Sequence, residues 1–101
     1  MFVYNVTLKV TWSIHEEWLD WMREVHTRAV IDTGCFTTAT IFHLLEVDEN
    51  EGPTYAVQYS TESKAMYNLY MEKFGPVFRQ EMFDKWGDKF IAFRSLMEVV
   101  N

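Results

Sequence analysis

The chain has 101 residues, of which 49% are hydrophobic and 17% aromatic, and its formal net charge is -6 at pH 7. Nucleic-acid-binding modules and proteins that adsorb to anionic membranes need a basic surface, so both classes are disfavoured, and no apolar run is long enough to span a bilayer. A single cysteine, Cys35, allows no intrachain disulfide, and no signal-peptide pattern is visible, so we expect a cytoplasmic protein.

The first half of the chain has a strand–helix–strand pattern. Apolar residues alternate along Phe2–Val10, which predicts a half-buried strand. Ser13 and Glu16 fit a capping box that begins a helix, and Thr33-Gly34 ends it. The apolar residues of this helix recur at three- and four-residue spacing and form one stripe. The predicted segments are Phe2–Val10, Ser13–Ile31 and Cys35–Val47.

The second half repeats the pattern after an acidic loop that ends at Gly52. Its helix is interrupted at Gly75-Pro76, because proline suits the first turn of a new helix, and Gly87 ends it. The order β-α-β-β-α-β with right-handed crossovers predicts an α+β, ferredoxin-like fold over residues 1–101 as one domain. A four-stranded antiparallel sheet then carries both helices on one face. The predicted segments are Thr54–Thr61, Glu62–Trp86 and Lys89–Val100.

One face of the predicted sheet has no helix to cover it. We assign Tyr4, Val57 and Phe93 to the covered face, and Asn5, Gln58 and Arg94 to the open face among apolar neighbours. The open face must meet water, a ligand or a second sheet. Together with the high aromatic content, this predicts a homodimer.

Two residues are candidates for catalysis. Arg94 lies among apolar residues and could clamp a carboxylate or an enolate, or it could form a salt bridge at a dimer interface. His26 could act as an acid or a base in a cavity, or it could simply pack at the end of the first helix. Asn5, Tyr55 and Tyr59 are candidate ligand-binding residues for a small aromatic or polar molecule.

Other reactive side chains show no pattern that supports a site. His15 is expected at the surface, and His43 has no evident acidic partner nearby in sequence. The acidic stretch 48–52 does not have the spacing of a calcium loop, and Cys35 has no neighbouring histidine to activate it. We therefore predict neither a metal site nor a cofactor.

The whole chain resembles a family of short bacterial proteins classed as a domain of unknown function. The residues that carry the resemblance are Tyr4-Asn5-Val6-Thr7, Trp18-Leu19-Asp20-Trp21-Met22 with His26, Thr33-Gly34-Cys35-Phe36, Tyr55-Ala56-Val57-Gln58-Tyr59, Trp86-Gly87-Asp88-Lys89-Phe90, Phe93-Arg94 and Glu98-Val99-Val100.

More distantly, the layout is similar to the dimeric α/β-barrel superfamily, which includes monooxygenases and muconolactone isomerase-like enzymes. That resemblance implies two sheets packed face to face and a ligand between sheet and helices. Its haem-degrading branch uses a histidine on the second helix, and this chain has none there. The expected function is small-molecule binding, at most with monooxygenase- or isomerase-like activity, and whether the protein is an enzyme stays open. The alternative is a non-catalytic dimeric interaction or regulatory module.

Overall fold

The computed structural model describes all 101 residues as a four-stranded antiparallel sheet with two helical segments. The strand order across the sheet is β2-β3-β1-β4, so the two halves of the chain interleave as the ferredoxin-like fold requires. None of the helices combines the length and apolar character that crossing a membrane demands. The strands are β1 (Phe2–Val10), β2 (Thr38–His43), β3 (Thr54–Thr61) and β4 (Phe90–Glu98).

Both helical segments contain a π-helical turn in the middle. The first segment runs from α1 (His15–Trp21) through the π turn Met22–His26 to α2 (Thr27–Asp32). The second runs from α3 (Lys64–Leu69) through the π turn Tyr70–Phe74 to α4 (Gly75–Trp86). Turns of this kind insert one extra residue into a helix and are frequent at functional sites.

Local chemistry explains where each π turn ends. In the first segment, the Thr27 hydroxyl donates to the Met22 carbonyl at 2.8 Å, and the Thr27 backbone N–H also bonds that carbonyl. In the second, the Gly75 N–H bonds the Tyr70 carbonyl, and Pro76, which has no N–H, cannot continue the preceding α-helical ladder. The predicted interruption at Gly75-Pro76 is thus a change of helical register along one continuous path.

The predicted capping box at the start of the first helix is wrong. The residue that precedes α1 is Ile14, and no side chain caps the helix there. Ser13 lies in the preceding turn, where its hydroxyl is 2.8 Å from the Thr11 hydroxyl. The turn is closed by backbone bonds from Ile14 and His15, so the helix begins after it.

The core lies between the sheet and the helices. Alternate residues of β1 and β3 are buried on this face, including Leu8 and Val57, which are fully buried. Tyr4 on β1 packs against Tyr70 of the second helical segment at 5.9 Å between ring centroids, and His26 of the first segment packs against Phe78 of the second. Both helical segments therefore cover the same face of the sheet.

The predicted assignment of β4 to the two faces is wrong. Val6 pairs with Arg94 and Thr7 pairs with Phe93, so Arg94 lies on the helix-covered face and Phe93 on the open face with Asn5. Paired residues of antiparallel strands share a face, so an assignment that is wrong by one residue places every side chain of the strand on the opposite face of the sheet. Arg94 is therefore not a neighbour of Asn5 and Gln58.

Candidate functional site between the helices and the sheet

A cavity of about 30 Å³ lies between the helical segments and the sheet, which is room for about two water molecules. Its twelve lining residues include one histidine, two arginines and three tyrosines, and none of them is acidic. The remaining walls are apolar. The polar lining residues are Tyr4, His26, Tyr59, Tyr70, Arg79 and Arg94.

Both π turns contribute residues to the lining of this cavity. Met22 and His26 begin and end the first turn, and Tyr70 begins the second; all three line the cavity. The extra residue in each turn changes which side chains face the sheet. The local helix distortion therefore places a histidine and a tyrosine at the same cavity.

His26 is buried in an aromatic surrounding and has an unpartnered nitrogen. Its residue is only 8% exposed, and its ring packs against Trp21 and Phe78 at 5.0 and 5.7 Å between centroids. The Nδ1 atom has no hydrogen-bond partner in the protein. Burial lowers the pKa of His26 to about 4, so the ring is neutral at pH 7.

The tyrosines of the cavity form a cluster of contacting rings. Tyr4 lies 6.1 Å from Tyr59 and 5.9 Å from Tyr70 between ring centroids. Burial raises the pKa of all three hydroxyls, and the charges of Arg79 and Arg94 partly offset this for Tyr4 and Tyr70. All three phenols are therefore protonated at neutral pH and can donate hydrogen bonds.

Arg79 and Arg94 come from different elements, and neither has an acidic partner. Arg79 is on α4 and Arg94 is on β4. The salt bridges of the protein join Lys9 to Glu51, Arg23 to Asp20 and His43 to Glu49, so neither cavity arginine is paired with a carboxylate. In particular, no salt bridge joins Arg94 to Glu98 of its own strand.

The structure brings together three of the five predicted site residues. His26, Tyr59 and Arg94 line the cavity. Asn5 lies on the open face of the sheet, where its side chain bonds Thr7 and Gln58. Two residues that sequence reasoning missed, Arg79 and Tyr70, belong to the cavity. Arg79 directly follows Phe78, and its position next to an apolar helix residue was the available signal.

Tyr55, the fifth predicted site residue, belongs to a separate cluster near one end of the sheet. His15 Nε2 is 2.6 Å from the Tyr55 hydroxyl, and the His43 ring stacks on Tyr55 at 5.0 Å. His43 Nε2 is also 2.8 Å from a carboxylate oxygen of Glu49. His15, expected at the surface, is thus partly buried, and His43, for which the sequence indicated no acidic partner, has one in Glu49. No group of three or more histidine, cysteine or acidic residues is placed to hold a metal ion.

A family model for a domain of unknown function, DUF4286, matches residues 1–100. The chain belongs to this family. The resemblance seen in the sequence is thus confirmed, and it assigns no activity. No protein of curated function matches the chain in sequence.

Solved structures share the fold of this DUF4286 chain over nearly its whole length. An ethyl tert-butyl ether degradation (EthD) family protein from Bacillus halodurans has a TM-score of 0.72 at 9% identity, covering 99% of this chain and all of that one. HapK from Hahella chejuensis has a TM-score of 0.73 at 11% identity, covering 99% and 93%. A dimeric ferredoxin-like protein from an uncultured marine organism has a TM-score of 0.69 at 16% identity, covering 99% and 95%. At these identities the similarity concerns the fold alone.

Proposed function

We propose that this protein is a homodimer that binds a small molecule in the cavity between the helices and the sheet. The observation that carries the proposal is the cavity itself, which residues of both π turns line and whose lining residue His26 has a buried Nδ1 atom without a hydrogen-bond partner. A polar atom removed from water without a partner destabilises a fold by about 1–3 kcal/mol. A ligand or a bound water that accepts or donates a hydrogen bond there offsets that loss.

The low pKa of His26 favours binding over general-base catalysis. A general base works best when its pKa is close to the working pH, whereas burial holds the pKa of His26 at about 4. In a monooxygenase- or isomerase-like reaction, Arg94 would stabilise an enolate and His26 would contribute a hydrogen bond rather than remove a proton. We therefore place ligand binding first and enzymatic activity second.

The open face of the sheet supports the dimer. It exposes large apolar side chains that no helix covers: Phe42 is 48% exposed, Ile91 59% and Phe93 69%. A second copy of the same sheet would remove them from water. One protein of similar fold is described as dimeric, which agrees with this arrangement. The alternative function, a non-catalytic interaction module, would use this same face and leave the cavity without a ligand.

Native mass spectrometry of the purified protein tests both parts of the proposal. We expect a dimer that carries a small molecule in stoichiometric amount. A monomer would contradict the sheet-to-sheet dimer. A dimer without bound mass, which also gains none when incubated with a metabolite extract of its host, would favour the non-catalytic module.

Two matched variants locate the dimer interface. Phe93→Asp places a charge on the open sheet face, and Phe83→Asp places the same charge at a 59% exposed position of α4. We expect the first to give monomers in light scattering and the second to leave the dimer intact. Dimers in both variants would show that the open face is not the interface.

A further inference from the structure

We infer that the ligand of this cavity is a planar aromatic anion, with its negative group between Arg79 and Arg94 and its ring directed towards His26. This inference rests on the proposed function, because it names the chemical class that the cavity accepts. It adds Arg79 to the site and makes charge the main determinant of specificity.

The distribution of charge carries the inference. The protein as a whole has a net charge of -6, yet the cavity lining holds two positive side chains and no negative one. Arg79 and Arg94 come from different elements and have no carboxylate partner. Two arginines that line one cavity without a counter-charge make that cavity favourable for an anion.

Gly75 gives Arg79 a defined position. A Cβ atom at residue 75 would lie 3.2 Å from Nη1 of Arg79 and 3.6 Å from the ring of Tyr70. The missing side chain thus leaves the space in which the guanidinium packs beside the tyrosine. A packed guanidinium loses less conformational entropy on binding an anion than a freely moving one.

The aromatic residues around the cavity favour an aromatic ring as the uncharged part of the ligand. Tyr70 and Phe78 are nearly parallel, with an interplanar angle of 16° and 6.2 Å between centroids, and Tyr4 lies beside them. Tyr70 and Phe78 stack on each other, and together with Tyr4 they give the cavity an aromatic wall against which an aromatic ring can pack. His26 lines the same cavity, and its Nδ1 atom has no hydrogen-bond partner within the protein, so it could bond a polar substituent on the ring of a ligand that reaches it.

A ligand of this class needs more room than the present 30 Å³. The part that can give this room at low free energy is the Arg94 side chain, because residue 94 is exposed. An outward movement of the Arg94 side chain would open the cavity, while Arg79 keeps its position beside Tyr70. The sheet and the buried tyrosines need not move.

Titration with benzoate and benzamide, followed by NMR of the 15N-labelled protein, tests the inference. The two probes have nearly the same shape and differ in charge. We expect benzoate to shift the amide signals around the cavity and to bind at least about tenfold more tightly than benzamide, as hydrogen bonds to a charged group imply.

Variants identify the groups that bind the anion. Arg79→Gln and Arg94→Gln should each weaken benzoate binding about tenfold and leave benzamide binding unchanged. Arg28→Gln removes the same charge from an exposed position of α2 and serves as the control, for which we expect no change. Arg94→Lys keeps the charge and should recover part of the affinity.

The outcomes separate the two proposals. Equal binding of benzoate and benzamide at the cavity would overturn the anion inference and leave small-molecule binding intact. An equal loss of benzoate binding in Arg28→Gln would show a general charge effect and would also overturn it. Absence of any shift with benzoate would overturn the inference for aromatic carboxylates, while the mass of a co-purified ligand would still decide the proposed function independently.

Discussion

Removing the titratable ring of His26 should change how the stability of the protein depends on pH. Burial lowers the pKa of His26 from 6.5 to about 4 in the folded state. The unfolded chain therefore binds a proton more readily than the folded one. Between pH 6.5 and about pH 4, the free energy of unfolding therefore falls as the pH falls. The stability that comes from keeping His26 neutral is fully present above pH 6.5 and is lost below about pH 4.

The expected magnitude follows from the two pKa values. One pKa unit corresponds to about 1.4 kcal/mol, so the whole change amounts to about 3 kcal/mol. Between pH 7.5 and pH 5.0, a range that covers most of the titration of the unfolded chain, the loss is about 2 kcal/mol. This loss is a large fraction of the stability of a typical small domain.

Urea unfolding of the wild type and of His26→Leu at these two pH values measures the effect. Leucine fills a similar volume, suits the aromatic surrounding and cannot be protonated. We expect the wild type to lose about 2 kcal/mol more than the variant on going to pH 5.0. All other titrating groups, including His15 and His43, are common to both proteins and cancel in the comparison.

Equal losses in the two proteins would refute the argument. So would an NMR titration in which the His26 ring takes up its proton near pH 6.5, since that would mean that water reaches the ring. His43→Gln is a useful second control, because this residue is exposed. Its substitution should leave the difference between wild type and His26→Leu unchanged.

Three glycines give further predictions for stability. Gly52→Ala should destabilise the protein by about 3 kcal/mol in urea unfolding, because the new Cβ would lie 1.7 Å from the Val10 carbonyl oxygen and the backbone would have to move. Gly34→Ala should cost only about 1–2 kcal/mol, from its φ of 78° alone, since nothing lies within 4 Å of the new atom; equal losses at the two positions would contradict the steric argument. Gly75→Ala should raise the free energy of unfolding by less than about 1 kcal/mol through helix propensity, and its new Cβ should displace the Arg79 guanidinium. The displacement should alter the NMR signal of the Arg79 side chain, and an unaltered signal would contradict it.

The element order and the fold could be predicted from the sequence, because periodicity gives a clear signal in β1, β3 and the first helical segment, and Gly75-Pro76 and Gly87 mark the second. In β4 the signal is ambiguous. Both alternating sets are apolar: Phe90 and Ala92 on one face, and Ile91 and Phe93 on the other. Only the pairing of β4 with β1 decides between the two faces, and that pairing depends on contacts distant in sequence. The position of Arg94 could therefore not be predicted.

The π turns were also beyond sequence reasoning. The helical stripe of the first segment has an ordinary spacing, and the hydroxyl of Thr27 that bonds the Met22 carbonyl has no distinctive pattern. The interruption at Gly75-Pro76 could be predicted because proline lacks an N–H, but the sequence did not show that it would take the form of a π turn. His26 could thus be named as a candidate, but its burial without a hydrogen-bond partner follows only from the three-dimensional arrangement.

The two faces of β4 connect the dimer to the ligand site. Phe93 lies on the open face and its neighbour Arg94 on the cavity face, since successive residues of a strand point to opposite sides. β4 is an edge strand and is hydrogen-bonded only to β1. A partner sheet packed on Phe93 would therefore restrain the strand that carries Arg94.

If the proposed dimer forms through this face, Phe93→Asp should weaken benzoate binding as well as dimerisation, although residue 93 does not line the cavity. Phe83→Asp adds the same charge on α4 and should weaken neither. The measurement is the NMR titration with benzoate on both variants at matched ionic strength. Unchanged affinity in a monomeric Phe93→Asp protein would show that each cavity works independently of the partner, because the restraint on β4 would then be supplied by β1 alone.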